Sequence, residues 1–150
     1  MPRPISAEID LEALRHNLGV MRSKAAGRAL WAVVKANAYG HGLDNAVTAF
    51  ADADGLATID LCDAEPLQTL KVETVVHSPW QIAILRAAKP KDVRVHVKVN
   101  SGMNRLGFRP AEAPAAAAQL AAIPGVRVMD YVTHFANAEQ SAVHAPVTVA

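Results

Sequence analysis

Residues 30–42 read Leu30-Trp31-Ala32-Val33-Val34-Lys35-Ala36-Asn37-Ala38-Tyr39-Gly40-His41-Gly42. The first five are apolar and include two β-branched residues, a short run that predicts a strand buried on both faces. Lys35 closes the run, and a loop of small residues follows. A lysine after an apolar run is by itself ordinary, because lysine is seldom buried and usually leads a strand back to solvent. At the mouth of a sheet the same residue has a second use. Burial disfavours an ammonium ion and leaves an amine nucleophile, which Schiff-base chemistry with an aldehyde requires.

Outward from this strand, the chain alternates. Ile5–Ile9 predicts an opening strand, and Asp10 is a suitable N-cap for a helix over 11–25, where Leu11, Leu14, Leu18 and Met21 recur at helical spacing. Further strands are expected at 56–61, 74–77, 93–99 and 126–135. Helices are expected at 44–53, 63–70, 78–88 and 110–122. Ser78-Pro79 is a helix start and Pro124-Gly125 a helix stop. In Val93–Val99 the valines point one way and Arg94, His96 and Lys98 the other. Repeated strand–helix units predict an α/β fold with a parallel sheet covered by helices. No G-x-G-x-x-G turn follows the first strand, as a dinucleotide-binding fold would require. Polar residues gather instead where strands end: Lys35, His77, Asn100 to Arg105, and His134. That pattern favours a TIM-type β/α barrel, whose chemistry sits at the C-terminal ends of its strands. A complete barrel takes eight units in about 250 residues. The chain has 150 residues, so the barrel is expected to be partial and incomplete.

Composition narrows the function. Half the residues are hydrophobic and the formal net charge is +1, so a real core is affordable. No basic run interleaved with aromatic residues suggests nucleic acid. The six histidines show no metal-site spacing and Cys62 is the single cysteine, so no metal is expected. With no signal-like or membrane-spanning segment and no possible internal disulfide, the expected setting is the cytoplasm.

The string Val33-Val-Lys-Ala-Asn-Ala-Tyr-Gly-His-Gly42 resembles the signature of alanine racemases. Lys98-Val-Asn-Ser-Gly-Met-Asn-Arg-Leu-Gly-Phe108 is similar to that family's K-x-D-T-G-M-x-R-L-G-F segment. Val132-Thr-His-Phe-Ala-Asn-Ala138 is similar to its T-H-F-A-x-A segment. Ile9–Asn17 and Val75–Trp80 are also family-like. The resemblance implies an isomerase that interconverts L- and D-alanine with pyridoxal 5'-phosphate, supplying D-alanine for peptidoglycan, and a homodimer in the intact protein. It implies that Lys35 carries the cofactor and serves as one of two acid/base groups. Tyr39 matches the tyrosine on the cofactor's phosphate side. Arg105 matches the arginine that reaches the cofactor's phenolic oxygen and the substrate carboxylate. His134 matches the histidine packed at the pyridine ring, and Lys98 a lysine carbamylated in many members. Asn37, His41 and His77 lie in matched strings without an assigned role.

The resemblance also breaks. The family has a further strand and helix where Leu70 passes directly into Lys71, so one β/α unit is expected to be deleted. It places the opposite-face base, a tyrosine, and the arginine under the pyridine nitrogen in a part with no counterpart here. The matched region is therefore taken as a partial barrel domain over 1–140, with 141–150 an unassigned tail. Two alternatives stay open: a non-enzymatic pyridoxal-phosphate-binding barrel of the cofactor-homeostasis type, and a truncated gene product without a stable function.

Overall fold

A computed structural model describes residues 4–61 and 72–137. They fall into two compact units, Met1–Ala57 and Thr58–Ala150. The helix expected at 63–70, the junction of Leu70 with Lys71, and the tail 141–150 lie outside the described residues.

In the first unit, Asp10 caps helix α1 (Leu11–Lys24), its carboxylate accepting the N–H groups of Glu12 at 2.8 Å and Ala13 at 3.1 Å. Those donors have no partner inside the helix, so the cap stabilises it by about 1 kcal/mol. Leu11, Leu14 and Leu18 are half-buried, and α1 packs against α2 (Leu43–Ala49). Strand β1 (Trp31–Val33) pairs in parallel with β2 (Gly55–Thr58), but it is not buried on both faces as expected, since Trp31 and Val33 are exposed. Asp54 ties the beginnings of the two strands together. Its carboxylate accepts the Leu30 N–H at 2.7 Å and pairs with Arg22, whose guanidinium also donates to the Asp52 carbonyl at 2.7 Å. The hydrogen bond from Arg22, then that from Leu30, hold the Asp54 carboxyl below its ordinary range.

The strand expected at Ile5–Ile9 does not form. Described residues 4–10 are irregular, and Ile5 is 89% exposed. Alternating apolar residues suffice for a strand only when a neighbour takes up the backbone N–H and C=O groups, and none does so among the described residues.

In the second unit, β3 (Val72–Val76), β4 (Val93–Lys98) and β5 (Val126–Val132) pair in parallel, with a slip in the β4–β5 register between Val95 and His96. Helices α3 (Pro79–Ala88) and α4 (Ala113–Ala121) cover them, α4 packing on β4 and β5 and against α3. The core consists of Val76, Val93, Val95 and Val97 with Leu85 of α3 and Leu120 of α4, all essentially sealed from solvent. Ser78 precedes α3, but its side chain makes no cap. Gln81, fully buried in the first turn, accepts the His77 N–H at 2.7 Å and donates to the Ile59 carbonyl at 3.2 Å. The valines of β4 are buried as their spacing implies. His96, opposite them, is also buried, flanked by the side chains of Glu73 and Asp130 on the neighbouring strands.

The result is the expected class, parallel strands alternating with helices in a β/α barrel type of fold. Five strands occur among the described residues, against the eight of a closed barrel. No helix among them is long and apolar enough to cross a membrane.

Candidate functional site at the C-terminal ends of the strands

Each polar residue singled out by sequence stands where a strand ends. Lys35 comes two residues after β1, His77 directly after β3, Asn100 to Arg105 after β4 and His134 two residues after β5. In a parallel sheet these ends share one edge within each unit, so different strands contribute to one surface.

In the first unit, Lys35 is half-buried and begins an unusual turn. Ala36, Asn37, Ala38 and Tyr39 all have φ between 53° and 56°, and Gly40 follows at 85°. Left-handed helical geometry costs an L-residue roughly 1–2 kcal/mol and normally occurs one residue at a time. Here it forms a full turn, closed by Ala38 N–H to the Val34 carbonyl at 2.9 Å and Gly42 N–H to the Asn37 carbonyl at 3.0 Å. The turn places the Lys35 Nζ 5.7 Å from the centre of the Tyr39 ring, within reach of a cation–π contact. Tyr39 is 59% exposed, so it is not a core aromatic of this chain. The small side chains of Ala36 and Ala38 suit so crowded a turn.

In the second unit, Lys98, Arg105 and His134 line one small hollow. Arg105 also faces an open cleft of about 310 Å³ with His77, Trp80, Asn100 and Asn104. Among the described residues, no carboxylate lines either recess. Burial, and then the positive charge of Arg105, lower the Lys98 amine below its ordinary range. Burial likewise lowers the His77 imidazole, with the Lys98 charge adding to the effect.

The loop that carries Arg105 is organised by residues to which the sequence assigns no role. Asn100 stands where the related pattern has an acid. Its Oδ1 accepts the N–H groups of Gly102 at 3.2 Å and Asn104 at 3.0 Å, while its Nδ2 donates to Asn104 Oδ1 at 3.1 Å. An aspartate could accept the first two but could not donate the third. Ser101 and Thr133 share a hydroxyl hydrogen bond at 2.5 Å, and Thr133 donates to the Val99 carbonyl at 2.9 Å, joining the β4 loop to the segment bearing His134. The loop then returns to β4 through Gly107, whose φ is +114°. A Cβ there would stand 2.8 Å from the Asn100 nitrogen, so only glycine fits.

A second polar cluster lies deeper. His96 Nε2 stands 2.5 Å from Glu73 and its Nδ1 2.5 Å from Asp130, and Arg94 also reaches Glu73 at 3.3 Å. His96 and Glu73 are buried, and the cluster bridges three adjacent strands. The alternation of β4 put His96 on the same face as Lys98, but its partners lie 23 and 34 positions away.

Comparison with known proteins bears on the family and the fold. Residues 9–148 match the family described as the alanine racemase N-terminal domain. The alanine racemase of Janthinobacterium sp. (strain Marseille) is 45% identical, the match covering 93% of this chain and 46% of the relative. Among solved structures, the biosynthetic alanine racemase of Pseudomonas aeruginosa aligns with a TM-score of 0.69 at 34% identity, covering 93% of this chain and 47% of that one. The alanine racemase of Streptomyces lavendulae, a D-cycloserine producer, aligns with a TM-score of 0.73 at 28% identity, covering 99% and 47%. The chain spans about half the length of the curated relatives it matches. The Janthinobacterium match runs over 164 residues yet takes in 93% of 150, about 140, so about 24 residues of the relative have no counterpart here. By its matched sequence and by its fold, the chain belongs to the alanine racemase family, within that family's N-terminal domain.

Proposed function

We propose that this chain is the cofactor-lysine portion of an alanine racemase that interconverts L- and D-alanine. The observation that carries the reading is Lys35, half-buried beyond the end of β1 in a strained turn that brings its amine over Tyr39. An amine with an aromatic neighbour, and in the other unit a recess lined by Lys98, Arg105 and His134 with no carboxylate among the described residues, suit an anionic aldehyde. Lys35 would hold pyridoxal 5'-phosphate, with Tyr39 toward its phosphate, Arg105 toward its phenolic oxygen and His134 against its ring. When bound, the cofactor supplies an electron sink for negative charge at the substrate α-carbon.

The protein's own work is positioning and proton movement. Arg105 binds the alanine carboxylate, for which its planar, permanently charged fork is suited. Lys35 takes up or returns the α-proton on one face. Inversion needs a second group on the opposite face, and the matched strings provide no such group. Lys98 is the proposed site of a carbamate. Its amine is lowered by burial and by Arg105, which favours the neutral form that reacts with carbon dioxide, and the resulting negative charge would sit beside the Arg105 guanidinium. In the intact protein we propose a homodimer, in the cytoplasm, supplying D-alanine for peptidoglycan.

The test is covalent mapping. The purified chain is incubated with pyridoxal phosphate, fixed with borohydride and digested, and the pyridoxyl mass is located. Label concentrated on Lys35 is expected, with an absorbance band at the edge of the visible that disappears in Lys35→Ala. Label spread evenly over the exposed lysines would overturn the reading.

A further inference from the structure

We propose that Asn37, His41 and Asn45 are positioning residues for Lys35, acting together as a clasp on the left-handed turn that follows it. This rests on the reading of Lys35 as the cofactor lysine.

The turn is intrinsically unfavourable, since three of its four left-handed residues are Ala36, Ala38 and Tyr39, which gain nothing locally from that geometry. Such a conformation persists only where its surroundings over-determine it. The side chains of Asn37, His41 and Asn45 do so. Asn37 Oδ1 accepts the Leu43 N–H at 2.7 Å, joining the turn to the first residue of α2. His41 Nδ1 donates to the Ala38 carbonyl at 2.8 Å; a carbonyl only accepts, so that nitrogen bears a proton. Asn45 Nδ2 donates to the His41 carbonyl at 2.8 Å, anchoring that residue to α2 one turn further on. Gly42, at φ +90°, lets Asn45 approach, as a Cβ there would stand 3.1 Å from its Nδ2.

Asparagine suits position 37 on two counts, because it tolerates left-handed geometry and carries the acceptor. The bonds do not touch Lys35. They hold its C-terminal neighbours, and so set the direction in which its side chain leaves the backbone and the seating of its Nζ over Tyr39. Without the clasp the turn is free to unwind into right-handed or extended backbone, and the amine loses its fixed position.

The test compares the full chain with Asn37→Leu, which has neither the acceptor nor tolerance of left-handed geometry, with Asn37→Asp, which keeps both, and with Asn45→Leu, which removes only the outer anchor. Two reagents are used with borohydride, pyridoxal phosphate and formaldehyde. Modification of Lys35 is measured by mass spectrometry against exposed Lys89 in the same molecule. A thermal melt identifies the folded variants, and Asn45→Leu carries the comparison if Asn37→Leu does not fold. Pyridoxal phosphate labelling of Lys35, relative to Lys89, is expected to fall about tenfold or more in the leucine variants and to stay within about threefold in Asn37→Asp, the scale of loss that small misplacements produce. Formaldehyde is expected to show a changed Lys35 rate in the same variants. Lys35 rates equal to the parent's with both reagents in folded leucine variants would overturn the clasp and leave the cofactor reading standing. A parent chain in which pyridoxal phosphate does not prefer Lys35, while the formaldehyde rate still follows position 37, would sink the cofactor reading and support the clasp.

Discussion

Lys98 and His77 show how one side chain sets the chemistry of another. The imidazole of His77 is lowered by burial and, secondarily, by the Lys98 charge. Replacing Lys98 with methionine should therefore raise the His77 titration part of the way back toward 6.5, with the burial effect remaining; nuclear magnetic resonance of the imidazole reads this directly. Carbamylation would go further, because it replaces a positive neighbour with a negative one. Added bicarbonate should raise the His77 titration in the parent chain and leave it unchanged in Lys98→Met, and no response in the parent would sink the carbamate. The sign for stability follows. Below 6.5 the unfolded chain binds the His77 proton more readily than the folded one, so this group weakens the fold as pH falls through the window beneath 6.5. Lys98 acts in the same sense at alkaline pH, its penalty easing as pH rises toward 10.5. Thr74 offers a simpler case. It is fully buried in β3, and its hydroxyl has no hydrogen-bond partner among the described residues. Thr74→Val keeps the shape and removes the unsatisfied group, so it should stabilise by about 1 kcal/mol, seen as a higher urea midpoint at unchanged slope.

At the scale of elements, the cluster of Glu73, His96 and Asp130 ties β3, β4 and β5 side by side. Removing His96 takes a close hydrogen-bond partner from the buried Glu73, which Arg94 reaches at 3.3 Å. His96→Leu should destabilise the fold by about 3–5 kcal/mol, whereas losing a surface ion pair such as Arg109–Glu112 should cost about 1 kcal/mol or less. Equal effects in thermal or urea unfolding would show that the cluster is not a structural tie. The elements were legible in sequence to differing degrees. Helix α1 follows from Asp10 and the leucine spacing, and β4 from its valines, because cap and period are local signals. Ile5–Ile9 has a strand's pattern without a strand's partner, and Val126–Phe135 stops pairing at Val132, leaving His134 on a loop. Pairing is a property of two segments, so neither outcome could be read from one.

For the molecule as a whole, the relatives are about twice as long, and the proposed reaction calls for two proton-handling groups of which one is matched here. The 150 residues by themselves, supplied with pyridoxal phosphate and L-alanine, are expected to form no more D-alanine than their Lys35→Ala variant. Sustained turnover that depends on Lys35 would show that a second base exists within the chain.

What the sequence determined by itself was local or borne by long strings: the strand just before Lys35, most of the alternation of strands and helices among the described residues, and the family. Tertiary structure alone decided the rest. It made a left-handed turn of Ala36–Tyr39, gathered Lys98, Arg105 and His134 around one hollow, and buried His96 between two carboxylates. The physical reason is range. Capping, periodicity and chain order act over a few residues and leave a mark in the pattern. Strain, burial and charge pairing depend on segments distant in the chain, and exist only once those segments have met.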